Sequence, residues 1–186
     1  MLAASHPTRT VIFQKTRLQG AYVIEPERLD DERGFFARIY CDREFADHGI
    51  TFRCVQSNIS FNWRKGTLRG MHYQTTPHAE AKLIRCTMGA MYDVIVDLRP
   101  GSSTYAQWIA AELTADNRRM LFVPEGFAHG FQSLVDNTET FYLMSAAYVA
   151  ESSAGVLWSD PKLGIEWPLA DPIVSARDRA LPRLGA

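Results

Sequence analysis

The chain of 186 residues lacks an excess of charge of either sign and lacks any long apolar run. Its 20 basic and 21 acidic residues give a net charge of −1. Bulk binding to nucleic acid needs a basic excess that releases counterions, so we expect no nucleic-acid partner. No apolar run approaches the roughly 18 residues that span a bilayer, and residues 1–10 have no long apolar segment typical of secretory signals. We therefore expect no membrane partner either.

Cysteine is scarce as well. The chain has three cysteines, Cys41, Cys54 and Cys86, at unrelated spacings. An odd number at such spacings is typical neither of a disulfide framework nor of a zinc site. We interpret them as reduced thiols and expect the protein to be cytoplasmic.

Linkers and repeats are also missing. No Pro/Gly-rich segment divides the chain, and no internal repeat or low-complexity segment is visible. With 46% hydrophobic and 22% charged residues, the composition is that of an ordinary globular protein. We predict a single domain over residues 1–186, in which residues 1–10 form a loose extension and residues 150–186 wrap around the rest.

The chain does contain many short runs of β-branched and aromatic residues. The clearest runs are 11–13, 21–24, 35–40, 82–86, 91–98, 108–113, 119–123, 127–133 and 138–145. Glycine or asparagine separates the later runs at Gly89, Gly101, Asn117, Gly126 and Asn137. Many short strands with regular turns predict an antiparallel sandwich or barrel.

Two short helices are predicted beside these strands. The first runs from Asp42 to His48, with Asp42 as its N-cap and Gly49 as its stop. The second lies near Ser175 to Arg179, in a C-terminal segment with several prolines that we otherwise expect to form loops.

Two stretches each put a histidine beside glycines, between predicted strands. The first runs from Gly66 to Gln74 and the second from Pro124 to Phe131. Together they resemble the paired motifs of the cupin superfamily, which are small β-barrels of jelly-roll type. The predicted fold class is therefore all-β, a cupin or jelly-roll antiparallel β-barrel with a few short helices.

The first stretch holds several polar side chains that could face one cavity. Residues two apart on a strand point to the same face, so His72 and Gln74 should face inward together. Arg69 lies three residues before His72, and Lys82 opens the next strand, where it could reach the same cavity. Buried charges need a partner, and an anionic ligand or a developing oxyanion would supply one.

A metal ion is the rival explanation of the same cluster. Metal-binding cupins usually offer a His-x-His pair, a glutamate and a later histidine. The corresponding set here is His72, Gln74, Glu80 and His129. Glutamine is a poor ligand for transition metals, and Lys82 would repel a cation. We predict no metal, and a metal-dependent cupin enzyme stays open as an alternative.

Further stretches, in a fixed order and spacing, extend the two histidine motifs. They are Asp31–Gly34, Gln56–Ser60, Gly66–Gln74, Lys82–Arg85, Tyr92–Arg99, Pro124–Phe131, Asp160–Pro161, Gly164–Pro168 and Ser175–Asp178. In this order they resemble the dTDP-4-dehydrorhamnose 3,5-epimerase family of nucleotide-sugar epimerases. The match runs from about Val11 to Leu184, which is nearly the whole chain.

The resemblance implies an activity that needs no cofactor. Members of the family invert carbons next to the ketone of a 4-keto-6-deoxy sugar on a nucleoside diphosphate, and no redox step occurs. By position, His72 matches the base, Asp178 the carboxylate that orients it and raises its basicity, and Tyr142 the acid that returns a proton from the opposite face. Lys82 matches the cation near the enolate oxygen.

The resemblance also implies how substrate is bound and how chains assemble. Arg69 matches a contact to the phosphate or sugar, Tyr148 matches a tyrosine near the sugar, and His129 is either a ligand contact or a supporting neighbour. The remaining implied substrate contacts are Arg33, Arg38, Gln56, Asn58 and Arg177. The family is dimeric with exchanged N-terminal strands, and Arg33 is expected to reach the neighbouring subunit's site.

Four positions depart from the family's pattern. They are Arg38 and Ser153 in place of glutamates, Leu143 in place of a lysine and Glu80 in place of a glutamine. The catalytic set is intact, so the chemistry should persist. The sequence leaves open which sugar the enzyme takes and how many centres it inverts. It also leaves open the nucleotide, which could be dTDP, CDP or another.

Two expectations follow from these departures. Arg38 exchanges a hydrogen-bond acceptor for donors, so we expect the dTDP form of the sugar not to be the best substrate. A catalytically silent sugar-nucleotide-binding cupin is the second alternative, although such a member should have lost His72, Tyr142 or Asp178, and none is lost.

Overall fold

The computed structural model describes residues 11–185, so the predicted N-terminal extension lies outside the described residues. The strands are β1 (Val11–Lys15), β2 (Tyr22–Pro26), β3 (Arg28–Asp31), β4 (Gly34–Ala37), β5 (Gln56–Asn62), β6 (Thr67–Gln74), β7 (Lys82–Met88), β8 (Ala90–Asp97), β9 (Trp108–Thr114), β10 (Met120–Val123), β11 (Phe127–Ser133), β12 (Thr138–Met144), β13 (Ser153–Gly155) and β14 (Ile173–Val174). The helices are α1 (Asp42–Asp47), α2 (Ala176–Arg179) and one 3-10 turn at Ala150–Ser152. Across residues 11–185, every helix is too short or too polar to cross a membrane.

The strands form two six-stranded sheets and one separate hairpin. The first sheet has the order β1-β2-β10-β7-β12-β5 and is antiparallel throughout. The second has the order β13-β6-β11-β8-β9, with β14 paired in parallel to β6. Strands β5 to β8 alternate between the sheets, as do β10 to β12. The all-β jelly-roll prediction is confirmed, although the sheets face one another without closing into a barrel.

Apolar side chains at alternate strand positions fill the space between the sheets. Ile84 and Cys86 on β7 pack with Met91 and Ile95 on β8 in one buried cluster. Every second side chain of a strand points to the same face. Lys82 lies two residues before Ile84 and therefore points to the same inner face of β7. The polar cavity that Lys82 lines is thus next to the apolar core, between the same two sheets.

The outer face of each sheet is covered by another part of the chain. Phe45 of α1 is fully buried and belongs to one apolar cluster with Leu83 and Phe122 of the first sheet. Val156 and Leu163 of the C-terminal segment pack with buried residues of β8 and β11 on the second sheet. Both sheets are thus held between apolar layers, which fixes the walls of the cavity.

The start of α1 differs from the prediction. Asp42 is the first residue of the helix and not its N-cap, because Cys41 holds the cap position with an extended backbone. The Asp42 carboxylate instead accepts a hydrogen bond from the hydroxyl of Tyr40. That hydroxyl also contacts the carbonyl oxygen of Phe52 at 2.6 Å. The Asp42 carboxylate is thus held by a side chain two residues earlier, and α1 has no side-chain cap.

The strand predicted over residues 35–40 is shorter, since β4 ends at Ala37. Arg38, the next residue, forms an ion pair with Glu44 of α1 at 2.8 Å. Arg38 is therefore part of the loop that connects β4 to α1, and the strand ends before the last aromatic residue of the predicted run.

The C-terminal segment holds more regular structure than predicted. Besides the expected short helix, it contributes β13 and β14, and both pair with β6. Helix α2 follows Ser175, whose hydroxyl accepts the backbone N–H of Asp178 at 3.0 Å. This cap fixes α2 directly beside the strand that carries His72.

Candidate active site

A cavity of about 680 Å³ opens between the two sheets. The residues predicted for catalysis all line it, namely His72, Lys82, Tyr142 and Asp178. Most residues predicted to bind substrate also line it, namely Gln56, Asn58, Arg69, His129, Tyr148 and Arg177. Both sheets and α2 contribute to this set, so its members come together only through the tertiary fold.

Strand β6 carries a bulge where it passes the cavity. In its pairing with β11, His72 lies opposite His129 whereas Arg69 lies opposite Phe131. The β6 side therefore has one more residue between these two pairs than the β11 side. Because of this extra residue, Arg69 and His72 line one cavity although they are three positions apart, which strict alternation would not allow.

Two facing glycines make this bulge possible. Gly70 has a φ of +128°, a backbone conformation that residues with a side chain rarely adopt. A Cβ atom built on Gly70 would lie 2.5 Å from the Cα atom of Gly130. The glycines in the two histidine motifs therefore let β6 and β11 approach closely beside the histidines.

His72 is hydrogen-bonded to Asp178. The distance from Nε2 of His72 to Oδ1 of Asp178 is 2.8 Å, and the side chains are 35% and 6% exposed. The second carboxylate oxygen of Asp178 accepts the backbone N–H of Gly70 at 3.1 Å. When Nε2–H donates to the carboxylate, Nδ1 is the nitrogen that is free to accept a proton.

The surroundings of His72 favour its neutral form. Burial lowers the pKa of the imidazole below its ordinary value, and the nearby charges of Lys82 and His129 lower it further. The hydrogen bond and the negative charge of Asp178 act in the opposite direction, as the resemblance implies, but the net pKa of His72 is lowered. A neutral imidazole open to the cavity can act as a general base.

Tyr142 lies on the opposite sheet from His72. It sits on β12, where its neighbours across the strands are Asn58 on β5 and Ile84 on β7. Burial raises the pKa of its phenol, and the positive charge of Arg69 opposes this shift only in part. The phenol therefore keeps its proton at neutral pH and can donate it.

Lys82 forms a buried ion pair at the edge of the cavity. Its Nζ lies 2.9 Å from Oε1 of Glu80, and the two side chains are 9% and 3% exposed. The same Nζ donates to the carbonyl oxygen of His72 at 3.5 Å. The ammonium is thus placed beside the backbone of the histidine that could act as the base.

A second histidine–aspartate pair lies behind the first. Nε2 of His129 is 2.6 Å from Oδ1 of Asp93, and the two side chains are 11% and 0% exposed. The other carboxylate oxygen of Asp93 has no hydrogen-bond partner among the described residues. The sequence reasoning missed Asp93, although a carboxylate inside the apolar run of β8 was a signal that it needs a buried partner.

Gln74 ties together two loops beside the cavity. Its amide oxygen accepts the N–H of Val149 at 2.6 Å, and its amide nitrogen donates to the carbonyl oxygens of His78 and Ala147 at 2.8 Å and 3.2 Å. Both N–H donors of the amide and one lone pair of its oxygen are therefore used within the protein. Across residues 11–185, no group of three or more histidine, cysteine or acidic side chains is arranged to hold a metal ion.

The sequence of this chain matches a known protein family. The sequence model of the family described as dTDP-4-dehydrorhamnose 3,5-epimerase matches residues 15–186. The chain belongs to the dTDP-4-dehydrorhamnose 3,5-epimerase family. The match covers both histidine motifs, the bulged β6 and the capped helix α2.

Related proteins align with nearly the whole length of this chain. The dTDP-4-dehydrorhamnose 3,5-epimerase of Methanothermobacter thermautotrophicus is 44% identical over 170 residues, 90% of this chain and 91% of that protein. The crystal structure of dTDP-4-dehydrorhamnose 3,5-epimerase from Bacillus anthracis, with TDP and PPi bound, has a TM-score of 0.91 and 44% identity, covering 94% of this chain and all of that one. NovW, a 4-keto-6-deoxy sugar epimerase from Streptomyces spheroides, has a TM-score of 0.89 and 34% identity, covering 97% and 92%.

The positions that depart from the pattern of the dTDP-4-dehydrorhamnose 3,5-epimerase family fall into two groups. Glu80 and Ser153 line the cavity, and Ser153 accepts a hydrogen bond from Arg177 at 2.9 Å. Leu143 packs instead with the apolar layer beneath α1, and Arg38 is paired with Glu44 of that helix. Only the first group can touch a ligand in this subunit's cavity.

Arg33 is also away from the cavity of its own subunit. It lies at the turn of the β3–β4 hairpin, where its guanidinium pairs with Asp31 at 2.5 Å. The hairpin joins neither large sheet. A role of Arg33 in substrate binding therefore requires the cavity of another subunit, as the family resemblance predicts.

Proposed function

We propose that this chain inverts one or both of the carbons next to the ketone of a nucleoside-diphosphate 4-keto-6-deoxy sugar. Family membership supports the reaction class, and the cavity supports the chemistry. The observation that carries the proposal is the contact between His72 and Asp178 in a cavity whose opposite wall presents Tyr142.

In the proposed mechanism, Nδ1 of His72 takes the proton from the carbon beside the ketone. The electron pair left on that carbon delocalises onto the ketone oxygen and gives an enolate, which the ammonium of Lys82 stabilises by a hydrogen bond. Tyr142 then donates its phenolic proton to the carbon from the other side. The product has the inverted configuration, and solvent restores the protonation of both residues. No electron is transferred to an acceptor, so the reaction as written needs no cofactor.

The opposite positions of base and acid support inversion. His72 belongs to the second sheet and Tyr142 to the first, and the substrate would lie between them. A carbon that loses its proton to one wall and receives one from the other must invert. A single residue acting from one wall would return the starting configuration.

Cationic side chains support binding of the diphosphate. Arg69 and Arg177 both line the cavity, and Arg177 is hydrogen-bonded to a neutral serine there. Arginine is well suited to phosphate because its planar guanidinium presents several N–H donors. We assign Gln56 and Asn58 of β5 on the opposite sheet, together with Tyr148, to the nucleoside and sugar. The amide oxygen of Gln56 accepts a hydrogen bond from the backbone N–H of Tyr148 at 3.0 Å, which would order these residues for the ligand.

We also propose a homodimer that exchanges N-terminal strands, in the cytoplasm. Strand β5 is an edge strand of the first sheet; Ile59 within it and Trp63 directly after it are 63% and 75% exposed. Such apolar groups on an edge favour cover by a second copy. The three cysteines are free thiols, as suits a reducing compartment. Sedimentation equilibrium should give twice the chain mass, and Trp63→Lys should shift it toward the monomer.

One experiment tests the proposed activity. The protein is incubated in D₂O with dTDP- and CDP-linked 4-keto-6-deoxyglucose, and deuterium entry at C3 and C5 is followed by NMR. We expect deuterium at one or both carbons together with an inverted product. Binding of the nucleotide sugar with no exchange at either carbon would contradict the proposal and identify a silent binding protein.

A further inference from the structure

A short segment beside the cavity, residues 147–149, has no regular secondary structure of its own. It follows β12 and carries Tyr148, which lines the cavity and is 53% exposed. The position of a side chain on such a segment depends on what holds its backbone. Hydrogen bonds from both sheets hold this one.

Gln74 of β6 holds the backbone on both sides of Tyr148. Its amide oxygen accepts the N–H of Val149 at 2.6 Å, and its amide nitrogen donates to the carbonyl oxygen of Ala147 at 3.2 Å. The N–H of Tyr148 itself donates to the amide oxygen of Gln56 on β5 at 3.0 Å. The segment is therefore fixed to one strand of each sheet.

The amide of Gln74 is itself held in one orientation. The side chain is 4% exposed, and its nitrogen also donates to the carbonyl oxygen of His78 at 2.8 Å. Both donors of the amide are thus used, and its oxygen is turned toward the segment. Because water has so little access, a hydrogen bond lost here is replaced by solvent only if the segment moves.

We infer that Gln74 is a positioning residue for the binding of the nucleotide sugar, because it holds Tyr148 in place before the ligand arrives. The inference rests on the proposed function, in which Tyr148 contacts the nucleoside or the sugar. A side chain that is already ordered saves the ligand the cost of ordering it. The effect of Gln74 should therefore appear in binding and in KM more than in kcat.

The substitution Gln74→Met tests this role, since methionine has a similar size and none of the amide hydrogen bonds. The probes are dTDP-glucose and CDP-glucose, which carry a nucleoside diphosphate and a sugar. Neither has the ketone, so calorimetric titration measures binding without turnover. We expect the Kd of whichever probe the wild type binds to rise by about fivefold, as for one side chain that must be ordered on binding. In steady-state kinetics KM should rise by a similar factor, and kcat should change by less than about twofold.

The matched control is Gln132→Met. Gln132 is a fully buried glutamine whose amide also holds a loop by a donated and an accepted hydrogen bond, both to the backbone of Leu169 at 3.0 Å. Neither residue lines the cavity. This variant should change Kd by less than about twofold. If Gln74→Met does not fold, Gln74→Asn takes its place, because it keeps an amide in the buried site but is one methylene too short to reach both neighbours of Tyr148.

A second background separates positioning from a direct contact with the ligand. Gln74→Met is also made in a Tyr148→Ala protein, where no ring is left to position. If Gln74 acts through Tyr148, the added substitution should change Kd by less than about twofold there. A residue that touches the ligand itself would cost the same factor in both backgrounds.

Several outcomes would overturn the inference. An unchanged Kd in Gln74→Met would do so, as would an equal rise in both backgrounds or an equal rise in Gln132→Met. If the wild-type protein binds neither probe and inverts no tested sugar, the proposed function fails and the inference with it. Failure of the inference alone is recognised by a wild type that binds and inverts while Gln74→Met binds equally well.

Discussion

The two histidine–aspartate pairs of the cavity have the same chemistry and different surroundings. His72 is open to the cavity, and its partner Asp178 is tied to the backbone N–H of Gly70. His129 is nearly enclosed, and its partner Asp93 is fully buried with one oxygen that has no partner among the described residues. A general base must reach the proton that it removes, so access, more than the pair itself, favours His72 as the proposed base.

The comparison also shows how one pair affects the other. The histidines lie opposite each other across β6 and β11, and the charge of His129 lowers the pKa of His72. The enclosed pair therefore contributes to the electrostatics of the open one.

The largest expected effect comes from replacing the two histidines in the same way. Glutamine can still donate a hydrogen bond to the aspartate but cannot take a proton. His72→Gln should lower kcat by about 10²–10⁴, the usual contribution of a general base. His129→Gln should lower it by about tenfold or less, because it loses only an electrostatic contribution. Steady-state kinetics on both folded variants test this, and equal losses would show that access does not distinguish the pairs.

A smaller effect is expected from the aspartates. Asp178→Asn should lower kcat/KM by at least about tenfold, because the charge that orients and stabilises the imidazolium is lost. Asp93→Asn should cost less than Asp178→Asn, since Asp93 supports the enclosed histidine. Circular dichroism should confirm that both variants are folded before the rates are compared, and an Asp178→Asn enzyme at the wild-type rate would mean that the pair is misassigned.

The pH dependence sharpens the assignment of the open pair. The base must be neutral, and burial lowers the pKa of His72 below its ordinary value of 6.5. The acid limb of the kcat/KM profile should therefore lie below pH 6.5. Asp178 raises this pKa, so Asp178→Asn should move the limb to lower pH. A limb that moves to higher pH would mean that another group titrates.

The smallest effect is expected outside both pairs, at Arg38. The structure gives Arg38 an ion pair with Glu44 at 2.8 Å and no place in the cavity of its own subunit. We therefore expect Arg38→Gln to change the ratio of kcat/KM for the dTDP and CDP forms by less than about twofold, because the ion pair lies outside the cavity and carries energy on the order of a surface salt bridge. A larger change would mean that Arg38 reads the nucleotide, as its departure from the family pattern suggested.

The sequence was sufficient for the features that follow strand periodicity or the order of motifs. Short runs of β-branched and aromatic residues, separated by glycine or asparagine, predicted most strands. The resemblance identified His72, Tyr142 and Asp178, which the fold brings to one cavity although they lie far apart in the chain. Local patterns alone left Tyr142 and Asp178 without an assigned role, and the order and spacing of the motifs supplied it.

Most of the rest depends on contacts that no local pattern encodes. The common cavity of Arg69 and His72 depends on a bulge against β11, and the Asp93 pair depends on the register of β8 with that strand. The bulge and the Asp93 pair are decided by partners distant in sequence. The predicted cap of α1 is a local error, since Asp42 is the first residue of the helix and its carboxylate contacts Tyr40 two residues earlier.

The central claim is that base and acid are separate groups on opposite walls of one cavity. The most direct test is the ratio of deuterium entry to inversion for Tyr142→Phe in D₂O. With the base intact and the far donor lost, exchange at the first carbon should continue while inversion falls by about 10² or more. If exchange and inversion fall in equal proportion, Tyr142 is not a separate acid and the two-wall account is wrong.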